Sequence, residues 1–385
     1  MMADMTRRIA FLKAPDHVTF AADNEGRLPY GIDHLEANGF ELVTTEAHRH
    51  RPWTLRPIAR VVKRIERATT ALLQTILLSP SIRRAPLTMA MFESEGHFLA
   101  LWRDIRSRFP LPRRLRAPRK SLVIIACWLT ELCEHASPKT LARYRRLYRN
   151  VDRVIVYSSN QPALLAAYLL IPVENISVVP FGIDVRALPG SEVGDDGTVL
   201  AVGRDKGRDW PTFLSAVRGS GWPVTLVCRP ELLSEGDLPI EVTVRPEVDR
   251  ATYLALLAKC RIVVIPTREL GYPTGQSVLL EAMGLGKPCV VTATEALRDY
   301  VSPGETCLVV APGDAGALRS AMASLMDDEV LRARIGTAAR ADCATRFDAA
   351  VMWKAVATVL DATLAAGSPL TGEAASWRAA ARKEP

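Results

Sequence analysis

Short apolar runs alternate with amphipathic stretches along most of the chain. The runs fall at residues 8–12, 40–44, 122–128, 151–157, 176–180, 199–202, 224–228, 241–244, 261–265 and 306–310, with a further one from Pro288. The run 261–265 shows no polar alternation, which predicts a strand buried on both faces of a parallel sheet. Helical spacing follows at 30–38, 137–149, 163–170, from after Pro211 to about Arg218, and at 253–258, 278–285 and 349–364. Gly39 and Gly286 stand where two of these helices should stop. Strand, loop, helix, strand is the pattern of parallel α/β domains, in which ligands lie outside the C-terminal strand ends.

The stretch 261–291 organises this picture. After its strand comes a loop through Pro266 and Pro273, and then Thr274, Gly275, Gln276 and Ser277 open an apolar helix. A helix start offers unpaired N–H groups and the positive end of a dipole, and glycine leaves room for close approach, so this is a seat for a phosphate. Glu281 lies one to two turns further in, where its carboxylate could accept from a pair of ribose hydroxyls. Equally, Gly275 could merely ease a turn and Glu281 be a solvated helix residue.

With 385 residues, two domains are expected: 1–188, and 189–365 with a last helix crossing back to the first domain, followed by a polar tail 366–385. The segment 187–197, with three glycines, Pro189, Glu192 and the pair Asp195-Asp196, reads as the linker. No uncharged apolar run reaches the roughly 18 to 20 residues that span a bilayer, and the N-terminus has no apolar signal core. Seven scattered cysteines without C-x-x-C argue for a reducing compartment and against a disulfide framework or zinc site. The expectation is a cytoplasmic protein.

Charge is unevenly placed. Residues 1–188 hold 28 Lys+Arg against 17 Asp+Glu, and the remainder 21 against 25. A basic first half implies anionic partners. Within it, 55–78 reads as a helix with a basic face, and 103–120 is a second basic cluster. Either attachment to an anionic membrane surface or a domain helix with a solvated outer face would account for the first. No aromatic-interleaved basic motif points to nucleic acid. Acceptor-side candidates are Gly31, closing the loop 14–31, and His97 and Glu131, each placed where a strand should hand over to a loop; both could also be ordinary structural groups.

In the second half, Gly203, Arg204, Lys206 and Arg208 follow one strand, Arg229 the next, and the Gly275 helix start a third. In a parallel sheet these ends share one crevice, so cations and a helix N-terminus converge where a diphosphate could lie.

At this point the chain resembles the retaining, nucleotide-sugar-dependent glycosyltransferases of family four. The resemblance is carried by Val178-Val179-Pro180-Phe181-Gly182-Ile183-Asp184, by Val202-Gly203-Arg204 with Arg208-Asp209, and by Ser277 through Glu281-Ala282-Met283-Gly284 to Pro288. Arg298-Asp299-Tyr300-Val301 and Gly304 through Val310 add to it; it covers roughly 150–360 well and the first half only in general pattern. It implies a GT-B fold, two Rossmann-like domains facing a cleft. Arg204 and Arg208 would neutralise the leaving diphosphate with Lys206 as helper, the Gly275 helix start would hold the distal phosphate, and Glu281 the ribose. No cofactor or metal is then expected, in keeping with the lack of an Asp-x-Asp motif. The partners implied are a nucleotide-diphosphate sugar of unknown base, a glycan or lipid-linked acceptor, and an anionic membrane on the cytoplasmic side.

One position departs from the family. A second glutamate usual eight residues before Glu281 is here Pro273, and Glu269 or the backbone at 274–276 is the available substitute. The function expected is therefore a retaining hexosyl-type transferase in surface polysaccharide or glycolipid synthesis. The alternative is a nucleotide-sugar-binding or partner protein that has lost transfer.

Overall fold

The computed structural model describes residues 7–12, 31–43, 85–108, 120–189, 194–233, 238–246 and 248–366. The loop 14–31 apart from Gly31, the basic helix expected at 55–78, residues 109–119 of the basic cluster and nearly all of the tail expected at 366–385 lie outside them. The chain divides into two compact units. The first takes residues up to Tyr157, then Gln161–Val179 and the chain from Trp353; the second takes Ser158–Asn160 and Pro180–Met352.

The first unit contains β1 (Arg7–Leu12), β2 (Phe40–Val43), β3 (Leu87–Met91), β4 (Ser121–Ile125), β5 (Arg153–Val156) and β6 (Ile176–Val178), all parallel, in the order β2-β1-β3-β4-β5-β6. β3 and β4 are buried along their whole length, and Leu122, Ile124, Val154 and Val156 pack with Leu147, Tyr148, Leu165 and Leu169 of flanking helices. Each such side chain removed from water contributes about 1.5–3 kcal/mol.

The second unit repeats the design with β7 (Val199–Val202), β8 (Val224–Val227), β9 (Val242–Arg245), β10 (Ile262–Ile265), β11 (Cys289–Thr292) and β12 (Leu308–Val310), in the order β12-β11-β10-β7-β8-β9. All its pairings are parallel. β7, β10 and β11 are buried throughout, whereas β9 at the sheet edge alternates half-buried and exposed. Trp210 and Phe213 of helix Trp210–Val217 and Leu318, Met322 and Leu325 of helix Ala315–Asp327 close over the apolar strands. The sheet grows outward one way from β7 to β9, then the chain returns to β7's other side for β10. The strand order therefore reverses between β7 and β10, and the two loops leaving their C-terminal ends define a crevice where ligands of such sheets bind. In the first unit the reversal falls between β1 and β3.

One sequence expectation changes, at the hand-over after β3. The strand Leu87–Met91, rich in methionine and alanine, gives little β signal by itself and is held by its place between β1 and β4. No loop follows it: helix Glu93–Arg108 starts two residues after the strand, and His97 lies within that helix. Phe92 makes the turn alone, at φ 94°, with its amide donating to Ile125 O at 2.9 Å. Gly96 then lets the helix rest on β4, since a Cβ there would lie 2.5 Å from Ile124 Cδ1.

Candidate functional site

In the second unit, the loop after β7 carries Gly203 to Asp209. Its centre is Arg208, which is buried with 4% of its surface exposed. Its Nε donates to Val202 O (3.1 Å), and one terminal nitrogen donates to Thr274 Oγ1 (2.7 Å) and stands 3.3 Å from Asp205 Oδ2. Thr274 Oγ1 in turn donates to Asp205 Oδ1 (2.9 Å), which also accepts from the Gly207 amide (2.8 Å). Backbone bonds Asp209 N to Pro266 O and Arg268 N to Gly207 O, each 2.9 Å, fasten this loop to the one leaving β10. Gly203 is required because the Arg208 side chain lies where a Cβ would be.

Gly275 precedes helix Gln276–Gly284 at φ 89°, a left-handed conformation that costs other residues about 1–2 kcal/mol. A Cβ there would also come 2.7 Å from Ile265 Cγ2 and 3.4 Å from the Arg208 guanidinium. No side chain caps the helix. Its first amides, the positive dipole end and a buried guanidinium thus meet at one point beside the β7/β10 reversal. Thr267, fully buried at the end of β10, has an Oγ1 with no hydrogen-bond partner among the described residues.

The remaining expected groups distribute around this point. Arg204 and Lys206 are exposed on the loop after β7; Arg229 is exposed after β8, at the head of the turn Pro230–Leu232. Gln276 is buried and Ser277 exposed in the first helical turn. Glu281 is buried on helix Gln276–Gly284, where its Oε2 accepts from Tyr253 Oη (2.5 Å) and its Oε1 lies 2.6 Å from an Arg250 nitrogen. It is therefore not a solvated helix residue. Tyr253 and Arg250, on helix Arg250–Lys259, are partners that sequence inspection missed. Burial, with the Glu281 charge beside it, holds the Tyr253 phenol well above its ordinary pKa, so it remains a donor.

Glu269 is exposed, and both its oxygens accept from the Glu295 amide (3.1 and 3.3 Å), fixing the β10 loop to the turn Glu295–Tyr300. Partial desolvation raises its pKa, the amide bond opposing. Pro273 is buried. Part of the sequence signature is structural: Phe181 N donates to Tyr300 Oη (2.8 Å), Tyr300 stacks on Phe347 at 5.3 Å, and Ile183 N donates to Phe347 O (2.9 Å).

In the first unit, His97 is stacked on Tyr144 at 4.8 Å and set edge-on to Tyr148 at 5.5 Å. Burial, helped by the Arg143 charge, lowers its pKa to about 4, so it is a neutral packing group at neutral pH. Glu131 is buried in helix Leu129–Glu134, and Gly31 takes φ 67°. The more unusual group is Glu93. It is buried at the ends of β3 and β4 and accepts from the Trp128 amide at 2.5 Å; burial outweighs its backbone hydrogen bonds and raises its pKa to about 7. Trp128, 38% exposed, stacks on Phe92 at 5.7 Å. The positive φ at Phe92, which singles the cluster out, leaves no trace in the sequence.

Among the described residues no group of His, Cys, Asp and Glu is disposed to hold a metal, all seven cysteines are free and buried, and no helix is long and apolar enough to cross a membrane.

Residues 212–328 match the family model described as glycosyl transferases group 1. A phosphatidyl-myo-inositol mannosyltransferase of Mycobacterium leprae is 31% identical over 122 residues, 32% of each chain, so the chain spans about a third of the length of that relative. Sucrose-phosphate synthase from Thermosynechococcus elongatus superposes with a TM-score of 0.64 at 18% identity, over 94% of this chain and all of that one. HepE of Anabaena, solved in complex with UDP, gives 0.60 at 18% identity over 92% and 100%. The chain thus has the GT-B fold, two parallel-sheet α/β units, and the stretch matching the glycosyl transferases group 1 model lies within the second.

Proposed function

We propose that the second unit binds a nucleoside-diphosphate sugar and that the chain transfers the sugar, with retention and without a metal, to a glycan or lipid-linked acceptor. The observation that carries this reading is the meeting of buried Arg208 with the Gly275 helix start at the β7/β10 reversal. A diphosphate there accepts from helix amides and lies against Arg208, with Arg204 and Lys206 exposed on the same loop. Negative charge grows on the diphosphate as the glycosidic bond breaks, so fixed cations and amides stabilise the transition state more than the ground state. The departing phosphate oxygen takes the proton of the acceptor hydroxyl attacking on the same face. Glu281 accepts from the ribose hydroxyls.

HepE was solved with UDP, which makes UDP-sugars the first donors to try. The basic first half suits an acceptor on an anionic carrier at the cytoplasmic membrane face. The test is slow hydrolysis across a panel of sugar nucleotides, with the released sugar's anomer read by NMR before it equilibrates. The donor's own anomer supports retention, and the inverted one contradicts it.

A second reading has its own observation: Pro273 stands where the family glutamate is expected, and Glu269 is engaged by the Glu295 amide. On that reading the chain binds sugar nucleotides without transferring sugar. Donor binding with no hydrolysis and no transfer to any acceptor tried would favour it.

A further inference from the structure

Glu281 is the sixth residue of a helix and is buried, yet among the described residues no lysine or arginine is buried with it to hold its side chain. Two groups from helix Arg250–Lys259 meet it. Arg250 comes from a side chain that is 58% exposed, where solvent screens the pair and ion pairing sets orientation weakly. Tyr253 differs: it is buried, its phenol oxygen is 2.5 Å from Oε2, and its ring is packed in place. The Arg250 guanidinium lies over that ring, 5.4 Å from the centroid.

A carboxylate has about four lone-pair positions. Tyr253 takes one on Oε2 and Arg250 one on Oε1, which leaves one on each oxygen. Those two match the two donors of a vicinal diol. Burial holds the phenol in its protonated form, so its proton stays committed to Oε2. Its constant bond fixes the plane of the carboxylate, and with it the directions of the remaining lone pairs.

Resting on the donor-binding reading above, we infer that Tyr253 is a positioning residue that orients Glu281 to read the ribose diol, so that ribonucleotides are preferred over deoxyribonucleotides. Tyr253 touches no ligand itself. Its removal should cost sugar discrimination and leave diphosphate affinity alone.

The experiment is isothermal titration of the full chain with UDP, GDP and ADP, with the 2′-deoxy and 3′-deoxy forms of whichever binds tightest, and with inorganic pyrophosphate. In the wild type, loss of one hydroxyl bonded to a charged carboxylate weakens binding by about 10- to 100-fold. Glu281→Gln should reduce that ratio to within a few-fold. Tyr253→Phe keeps the ring and should lower the ratio at least three-fold, with pyrophosphate affinity unchanged. Arg250→Gln should lower it less than Tyr253→Phe does.

A Tyr253→Phe protein that melts earlier but keeps the wild-type ratio, while Glu281→Gln loses it, would show that the phenol only supports the fold, and would overturn the inference with the donor-binding reading intact. A wild type that binds ribo and deoxy forms alike would overturn the diol assignment as well. Failure of every nucleoside diphosphate to bind would overturn the donor-binding reading itself.

Discussion

The two sheets have the same strand number and the same all-parallel pairing, yet their strand ends carry opposite chemistry. At the ends of β7 and β10 the second unit offers glycines, helix amides and a guanidinium locked into place by Asp205 and Thr274. At the ends of β3 and β4 the first unit offers a strained Phe92, a stacked Trp128 and a buried carboxyl with a pKa near neutrality. One arrangement suits an anion whose charge increases during reaction. The other gathers an aromatic pair around a carboxyl that is protonated up to near neutral pH. The lesson is that a repeated fold fixes where a ligand can lie, while a handful of residues at the strand ends decides what it can be.

Breaking the second unit's side should have the largest effect. Arg204→Ala, on an exposed side chain, should cut turnover by about 10²–10³-fold, the range for losing one preorganised charge stabiliser, while the melting temperature holds. Steady-state assay with thermal denaturation checks both, and unchanged turnover would remove Arg204 from the proposed machinery. Gly275→Ala should destabilise by about 3 kcal/mol, combining left-handed strain with overpacking against Ile265, and should abolish nucleotide binding. Urea denaturation and titration measure the two parts.

In the first unit the contrast can be sharpened through pH. Glu93 titrates at about 7 when folded against 4.5 as its ordinary value, so its contribution is full below 4.5 and lost as pH rises to 7. His97, four residues along the same helix, titrates at about 4 against 6.5, so its contribution is full above 6.5 and lost as pH falls to 4. Each is worth on the order of 3 kcal/mol, and between pH 4.5 and 6.5 their slopes oppose. Glu93→Gln should therefore uncover stability that rises with pH across that window, and His97→Phe stability that falls with it. Denaturant midpoints at intervals of pH would contradict this if both variants kept the wild-type slope. The smallest effect is expected from Trp128→Ala: about 1 kcal/mol from losing the stack on Phe92, with nucleotide affinity at the second unit unchanged.

Much of the fold was legible because buried parallel strands announce themselves: Val199–Val202 and Ile262–Ile265 are runs with no polar interruption. Leu87–Met91 was not, because methionine and alanine become a strand here only between two neighbours. Gly203, Arg208, Thr274 and Gly275 could be assembled from spacing, since a glycine at a helix start and an arginine beside a strand end each have a local reason. Tyr253 and Arg250 could not, being joined to Glu281 only through the packing of one helix on another. His97 drew notice as a titratable residue near a strand end, but only its helical placement shows that it faces two tyrosines. Nothing in the sequence around Glu93 shows that it is buried against the Trp128 amide.

The central claim is that a diphosphate lies between the Arg208 loop and the Gly275 helix start. A crystal structure with bound nucleoside diphosphate tests it most directly. The account predicts phosphate oxygens within hydrogen-bond distance of the Gln276 and Ser277 amides and beside Arg204 and Arg208. A nucleotide bound elsewhere, with that crevice empty and Arg204 turned away from it, would contradict it.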